Sequence, residues 1–164
     1  MSRGDVPVAA TFDAFVGATA RRHARAVMLL DTNVLIYASE DGSRYRDWAR
    51  RVIADAVSTD GAVINAVCLA EICVGDEYPA TVADRIRGWG IDVLDVPAAA
   101  AEASAVAYRQ FIERRRRQAG KDSPRIPLPD FFIGAHAQVM GWTLATADVS
   151  RIRTYFPSVQ LVTP

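Results

Sequence analysis

The sequence predicts an α/β protein in which a mostly parallel sheet of about five strands is covered by helices on both faces. Three observations lead there. From about residue 27 onwards, apolar runs of strand length alternate with stretches of helical period, the pattern of linked strand-helix units. The first run, Val27 to Ala38, is nearly continuous and is interrupted by Asp31, as expected of a central strand shielded on both faces. Finally, 51% of the residues are hydrophobic and 23% are charged, which supports a sizeable core and argues against a chain disordered throughout.

The elements follow in order. Gly42 and Ser43 break the first run, and Arg44 to Ser58 carries Trp48, Val52, Ile53, Ala56 and Val57 on one helical stripe. Gly61 to Asn65 is a second short strand, leading into a helix from about Val67 that contains Glu71 and stops near Gly75. A helix from Pro79 to about Trp89 precedes a strand from Ile91 to Val96. Pro97 opens a long Ala-rich helix, its fixed φ being suited to a first turn, and Gly120 ends it. Gly120 to Pro129 holds three prolines and reads as a loop. Asp130 starts the next helix, Phe131 to about Met140. Trp142 to Thr146 is a strand ending just before Asp148, and Val159 to Val162 is the last strand. There is no internal repeat.

A chain of 164 residues suits a single domain. Residues 1 to 27 read differently, with Pro7, small residues and a basic cluster of Arg21, Arg22, His23 and Arg25 before a second methionine, Met28. They are either an amphipathic helical arm or a product of a misplaced start, with translation beginning at Met28. The second reading is preferred, which leaves residues 28 to 164 as the domain. The segment fails as a signal peptide because its arginines follow the apolar stretch. No uncharged apolar run approaches the roughly 18 residues that span a bilayer.

Net charge is zero, so bulk attraction to nucleic acid is not indicated and any such binding must come from local clustering. Of the 19 basic residues all but one are Arg, whose planar fork grips phosphate in two places. Cys68 and Cys73 stand five apart on an expected helix, roughly 140° from one another at about 100° per residue, and are badly placed to bridge. Reduced thiols without a disulfide framework favour a cytoplasmic location.

The chemistry lies in four acids. Asp31 sits between Met28-Leu29-Leu30 and Val34-Leu35-Ile36, where a charged side chain is desolvated unless a cation or donors receive it. Its structural alternative is a helix N-cap, with Asp31 or Asn33 bonding the amides of the next turn. Glu71 has apolar neighbours on both sides, and a buried unpaired Glu is costly. Asp130, after Pro129, reads equally well as an acid compensating a helix dipole. Asp148 resembles a turn residue, although Thr146 can offer a hydroxyl to the same cleft. A parallel sheet covered by helices on both faces places its ligands at the carboxyl ends of the strands, and all four acids fall near that edge. Like charges gather only around a cation, which makes a Mg²⁺ or Mn²⁺ site that hydrolyses a phosphodiester the working expectation.

These residues resemble a known family. Asp31-Thr32-Asn33 after an apolar strand, Glu71 in a helix, Asp130 in Leu128-Pro-Asp-Phe-Phe-Ile-Gly-Ala-His-Ala137, and Thr146-Ala-Asp148 followed by Phe156 are similar to a PIN domain, and more narrowly to the VapC toxins of bacterial toxin–antitoxin pairs. The resemblance runs from about Met28 to Pro164 and implies a three-layer α/β/α sandwich. It implies Asp31 and Asp130 as principal ligands of Mg²⁺ or Mn²⁺, Glu71 and Asp148 completing the acidic pocket, and Thr32, Asn33 and Thr146 as its polar lining. The implied activity is endonucleolytic RNA cleavage leaving a 5′-phosphate. The implied partners are an RNA substrate, a VapB-like antitoxin, a second copy of the chain, and operator DNA in the assembly with antitoxin. The apolar surfaces of Arg44 to Ser58 and Glu71 to Trp89 are the region that, by resemblance, receives the antitoxin and the second copy.

Competing readings are a housekeeping PIN nuclease in RNA processing and a non-catalytic module with an acidic pocket. A receiver domain normally needs a late Lys, and the only one is Lys121 in an expected loop. A phosphatase of the haloacid dehalogenase type would want an Asp where Asn33 stands. His136 lies about 120° around its helix from Asp130 and reads as a packed residue. The run Arg114, Arg115, Arg116 and Arg117 is either a solvated helix end that complements the dipole or a guide for an RNA backbone. Tyr37, Trp48, Tyr108, Phe111, Trp142 and Tyr155 are expected in the core.

Overall fold

The structure is a computed structural model that describes residues 27–59, 61–119 and 128–164. The expected N-terminal arm and most of the proline-rich loop lie outside the described residues. Five strands and seven helices are described: β1 (Met28–Leu30), α1 (Thr32–Ser39), α2 (Arg46–Ser58), β2 (Ala62–Asn65), α3 (Ala66–Val74), α4 (Pro79–Gly88), β3 (Asp92–Leu94), α5 (Ala98–Ala119), α6 (Pro129–Met140), β4 (Thr143–Ala145), α7 (Val149–Tyr155) and β5 (Leu161–Val162). The strands form one sheet in the order β3-β2-β1-β4-β5, and every pairing is parallel. No described helix is long and apolar enough to cross a membrane.

The strands are shorter than their apolar runs, most of all at β1. The run through Ala38 is not one strand: the chain turns helical at Thr32. Asp31 is the last extended residue (φ −67°, ψ 151°), and its carbonyl accepts from the Val34 amide at 2.9 Å. The side-chain cap expected from Asp31 or Asn33 is not formed. An apolar helix that buries Thr32, Val34 and Leu35 carries no polar spacing to separate it from a strand, which is why the run read as continuous. A second element, α7, was not expected at all. Its seven residues bury Ile152 alone, too little for a helical period to show.

The central strands supply the middle of the core, with Leu29, Leu30, Ile64 and Leu144 fully shielded. Near α5, α6 and α7 an aromatic cluster surrounds Phe131, whose ring centroid lies 5.3 Å from Tyr108, 5.5 Å from Phe111, 5.4 Å from Tyr155 and 6.3 Å from Phe156. Gly134 makes this packing possible, because a Cβ there would stand 2.4 Å from Phe156 Cδ2. α6 ends at Gly141 in a left-handed conformation (φ 66°), a position that favours glycine. The two thiols are both free, Cys68 being buried.

Candidate active site

Asp31, Glu71, Asp130 and Asp148 line one cavity of about 380 Å³, together with Thr32, Asn33, Ile36, Ile133, Arg151 and Ile152. Asp31 stands where the central strand β1 ends, with its amide bonded to the Ala145 carbonyl of β4 at 3.0 Å. Glu71 comes from α3, Asp130 from the first turn of α6, and Asp148 caps α7, its carboxylate accepting from the Arg151 amide at 3.4 Å. Side chains far apart in sequence are therefore delivered to the carboxyl edge of a parallel sheet, the general ligand position of this architecture.

The polar residues around the acids are tied to them. Asp31 Oδ2 accepts from Thr146 Oγ1 at 2.6 Å and from Asn33 Nδ2 at 2.6 Å. Asn33 in turn accepts from the Ala147 amide at 3.2 Å, and Thr146 Oγ1 accepts from the Asp148 amide at 2.9 Å. The Thr32 hydroxyl donates to Glu71 Oε2. Thr32 and Thr146 are buried, so these hydroxyls act as fixed donors that orient two of the four acids.

Burial drives the Asp31 carboxyl upward, the Thr146 bond draws it down, and repulsion from Glu71 and Asp130 raises it again, leaving it at about 6 against an ordinary 3.8. Asp31 thus lacks sufficient positive charge nearby. Asp130 and Asp148 are served differently. The Arg151 guanidinium donates to Asp130 Oδ2 through Nη1 and pairs with Asp148 Oδ2 through Nη2 at 3.1 Å. Arg151 was missed in the sequence, and the signal available was its position one helical turn after Asp148, where an acid and a base meet on the same face.

Among the described residues, no three His, Cys, Asp or Glu side chains converge closely enough to form a ready-made metal cage. That does not oppose a hard cation. Mg²⁺ keeps several waters and takes only one or two carboxylates directly, and a pocket whose acceptors are carboxylate, hydroxyl and amide oxygens, with no cation among the described residues set against Asp31, fits such an ion.

His136 lies outside the cavity, 2% exposed, with Nδ1 3.4 Å from Asn65 Nδ2 and its ring 5.3 Å from Trp142. Burial lowers its pKa, which favours the neutral ring. Of the arginine run on α5, Arg114 and Arg115 line a second groove that shares Asp148 and Arg151 with the acidic cavity. Arg116 and Arg117 are exposed and do not line either. A third depression of about 460 Å³, bounded by Leu35, Ile36, Ile72, Val82, Arg85, Ile86 and Trp89, lies between α1, α3 and α4.

A parallel α/β sandwich with paired acids, threonines and an asparagine at its carboxyl edge defines a class of acidic-pocket α/β proteins. Within that class the chain belongs to the PIN domain family, whose pattern residues 28–156 match. The fold is similar to that of VapBC2 from Rickettsia felis bound to a promoter DNA fragment (17% identity, TM-score 0.60, 84% of this chain and 98% of that one). It is also similar to DNA-bound VapBC from Salmonella typhimurium (20% identity, TM-score 0.56, 84% and 97%). A third similar structure is Mycobacterium tuberculosis VapC20, a toxin that cleaves the sarcin-ricin loop (16% identity, TM-score 0.53, 81% and 98%). No curated protein matches the chain in sequence.

Proposed function

We propose that the protein is a Mg²⁺- or Mn²⁺-dependent endoribonuclease that serves as the toxin of a toxin–antitoxin pair. The observation that carries this reading is the assembly of Asp31, Glu71, Asp130 and Asp148 around one cavity, in a PIN domain whose fold is shared by a toxin that cleaves the sarcin-ricin loop. Asp31 and Asp130 would hold the ion with Glu71 and Asp148 beside them, and the chemistry supplied by a bound divalent cation is activation of water for in-line attack and neutralisation of charge on the phosphoryl oxygens. Thr146 and Asn33 hold the Asp31 carboxylate in one rotamer, and Thr32 does the same for Glu71. Among the described residues that line it, the cavity has no Ser, Cys or His that would act as a nucleophile, which suits hydrolysis by water.

The partners belong to the same proposal. Promoter-bound VapBC complexes share the fold, and a VapB-like antitoxin, operator DNA and a second copy of this chain are the assembly proposed here. The test uses purified full-length protein and total cellular RNA, with mapping of 5′ ends. New 5′-phosphate ends in Mn²⁺ that vanish in excess chelator are the expected result. The same ends in chelator would remove the metal, and no new ends in any divalent ion would remove the nuclease.

Arg151 yields a separate expectation. Its guanidinium occupies the charge field a divalent ion would need at Asp130 and Asp148, and a unit charge a few ångströms away is worth on the order of 1 to 3 kcal/mol at the surface of a protein. Arg151→Gln should bind Mn²⁺ about tenfold more tightly by calorimetry, while the metal-free protein loses up to about 1 kcal/mol of stability. An unchanged affinity would mean that the guanidinium does not compete with the ion.

A further inference from the structure

We infer that the groove beside the acidic cavity is a subsite for the RNA backbone, in which Arg114 and Arg115 grip a phosphate next to the one that is cut. The inference rests on the nuclease reading and adds to it where the substrate lies. The groove, about 400 Å³, is lined by Arg114, Arg115, Phe111, Asp148, Ser150, Arg151, Thr154 and Tyr155. Asp148 and Arg151 also line the acidic cavity, so the two depressions share a wall.

The charges of the two depressions are opposite in character. The cavity carries four acids against one guanidinium. Among the described residues the groove is lined by one acid, Asp148, which Arg151 pairs at 3.1 Å, and by three arginines, Arg114, Arg115 and Arg151, so its described lining is net basic. Residues 109 to 117 hold five arginines and one glutamate, so the helix behind the groove reinforces that sign. Arg115 is also held in place, its guanidinium lying 5.3 Å from the centre of the Phe111 ring. An arginine braced on an aromatic ring loses less freedom when it grips an anion than one free in solvent. Ser150 is exposed at the same wall and offers a hydroxyl donor. Thr154 does not, since its hydroxyl donates to the Ser150 carbonyl at 2.7 Å.

A polyanion whose reacting phosphate must approach four carboxylates is repelled by them unless neighbouring phosphates are held. A basic groove one wall away provides that hold without adding positive charge to the cavity itself. Phosphate contacts of this kind position the strand and carry no sequence information. The subsite therefore governs affinity and register, while selection of the cut site lies elsewhere.

The test is RNA binding by the full-length protein in the Asp31→Asn background, measured by anisotropy of a labelled single-stranded RNA of mixed sequence across a salt series. Adding Arg114→Gln and Arg115→Gln should weaken binding about tenfold or more and lower the salt slope by about 0.7, the share of one single-strand phosphate contact. Arg51→Gln, an exposed arginine on α2, serves as the charge control and should change neither. Unchanged affinity and slope in the double variant, or an equal loss in the control, would overturn the subsite. So would a double variant that loses binding to polyglutamate but not to RNA, which would assign the groove to an acidic protein partner. Wild-type cleavage, read separately by 5′-end mapping, distinguishes failure of the subsite from failure of the nuclease reading.

Discussion

Asp31→Asn is expected to abolish RNA cleavage and at the same time to stabilise the metal-free protein. Catalysis falls because Asp31 is the acid at the end of the central strand, held by Thr146 and Asn33, and removing its charge removes the principal oxygen ligand proposed for the ion. Metal stabilisation of a phosphoryl transfer is worth several kcal/mol, so the loss should exceed about 100-fold. Stability moves the other way. The carboxyl is raised to about 6 from 3.8, so the folded chain holds this proton more tightly than the unfolded chain. The penalty is absent below pH 3.8, grows as pH rises through the window from 3.8 to about 6, and is fully present above it. At about 1.4 kcal/mol per unit the ceiling is about 3 kcal/mol, less what the amide itself pays on burial. Calorimetric melting in chelator should show the variant several degrees above wild type at pH 7.5 and level with it at pH 4. A lower melting temperature at pH 7.5 would show that Asp31 is satisfied as an anion, and the reading of its environment would be wrong.

Phe131→Ala should be among the most damaging core substitutions. Phe131 is fully buried and its ring touches those of Tyr108, Phe111, Tyr155 and Phe156, so it joins α5, α6 and α7. Truncating a buried Phe costs about 3 to 5 kcal/mol, against a total of about 5 to 15 kcal/mol for a typical domain. The midpoint in urea should fall sharply, and cleavage should fall with it, because Asp130 precedes this residue and Arg151 sits on α7. Val106→Ala, on the exposed side of α5 at 59% accessibility, is the comparison and should change the midpoint by less than about 0.5 kcal/mol. Equal losses in the two variants would show that the aromatic cluster does not organise this side of the fold.

The strand-helix alternation made the sheet readable, since the sequence predicts all five strands, and their all-parallel pairing follows from the helices between them. Strand limits were less readable. The stretch Ile91 to Val96 extends past the hydrogen-bonded part, Asp92–Leu94, because the apolar residues at its two ends, Ile91 and Val96, are themselves at least partly shielded although they lie outside the pairing. The helix α1 was hidden for the same reason, being apolar on most sides. Asp31 and Glu71 could be picked out because charge amid apolar residues is costly, whereas Asp130 and Asp148 stood out only by their place near strand ends and by the resemblance to PIN domains; the structure brings all four to one cavity. Arg151 could not be picked out in that way. An arginine on a short, half-exposed helix looks like any surface arginine, and only the approach of α6 to α7 shows which acids it meets. The same holds for Arg114 and Arg115, which their own helix does not distinguish from Arg116 and Arg117.

The sheet order has a temporal consequence. Asp31 is made early, yet its hydroxyl donor Thr146 stands 115 positions later, and β4 must slot in beside β1 before the cavity has its second wall. A chain emerging from the ribosome therefore carries its first acid for most of its synthesis without the arrangement that would let it cut. Under the proposed nuclease activity, this ordering keeps the acidic cavity unassembled until nearly the whole domain has left the exit tunnel.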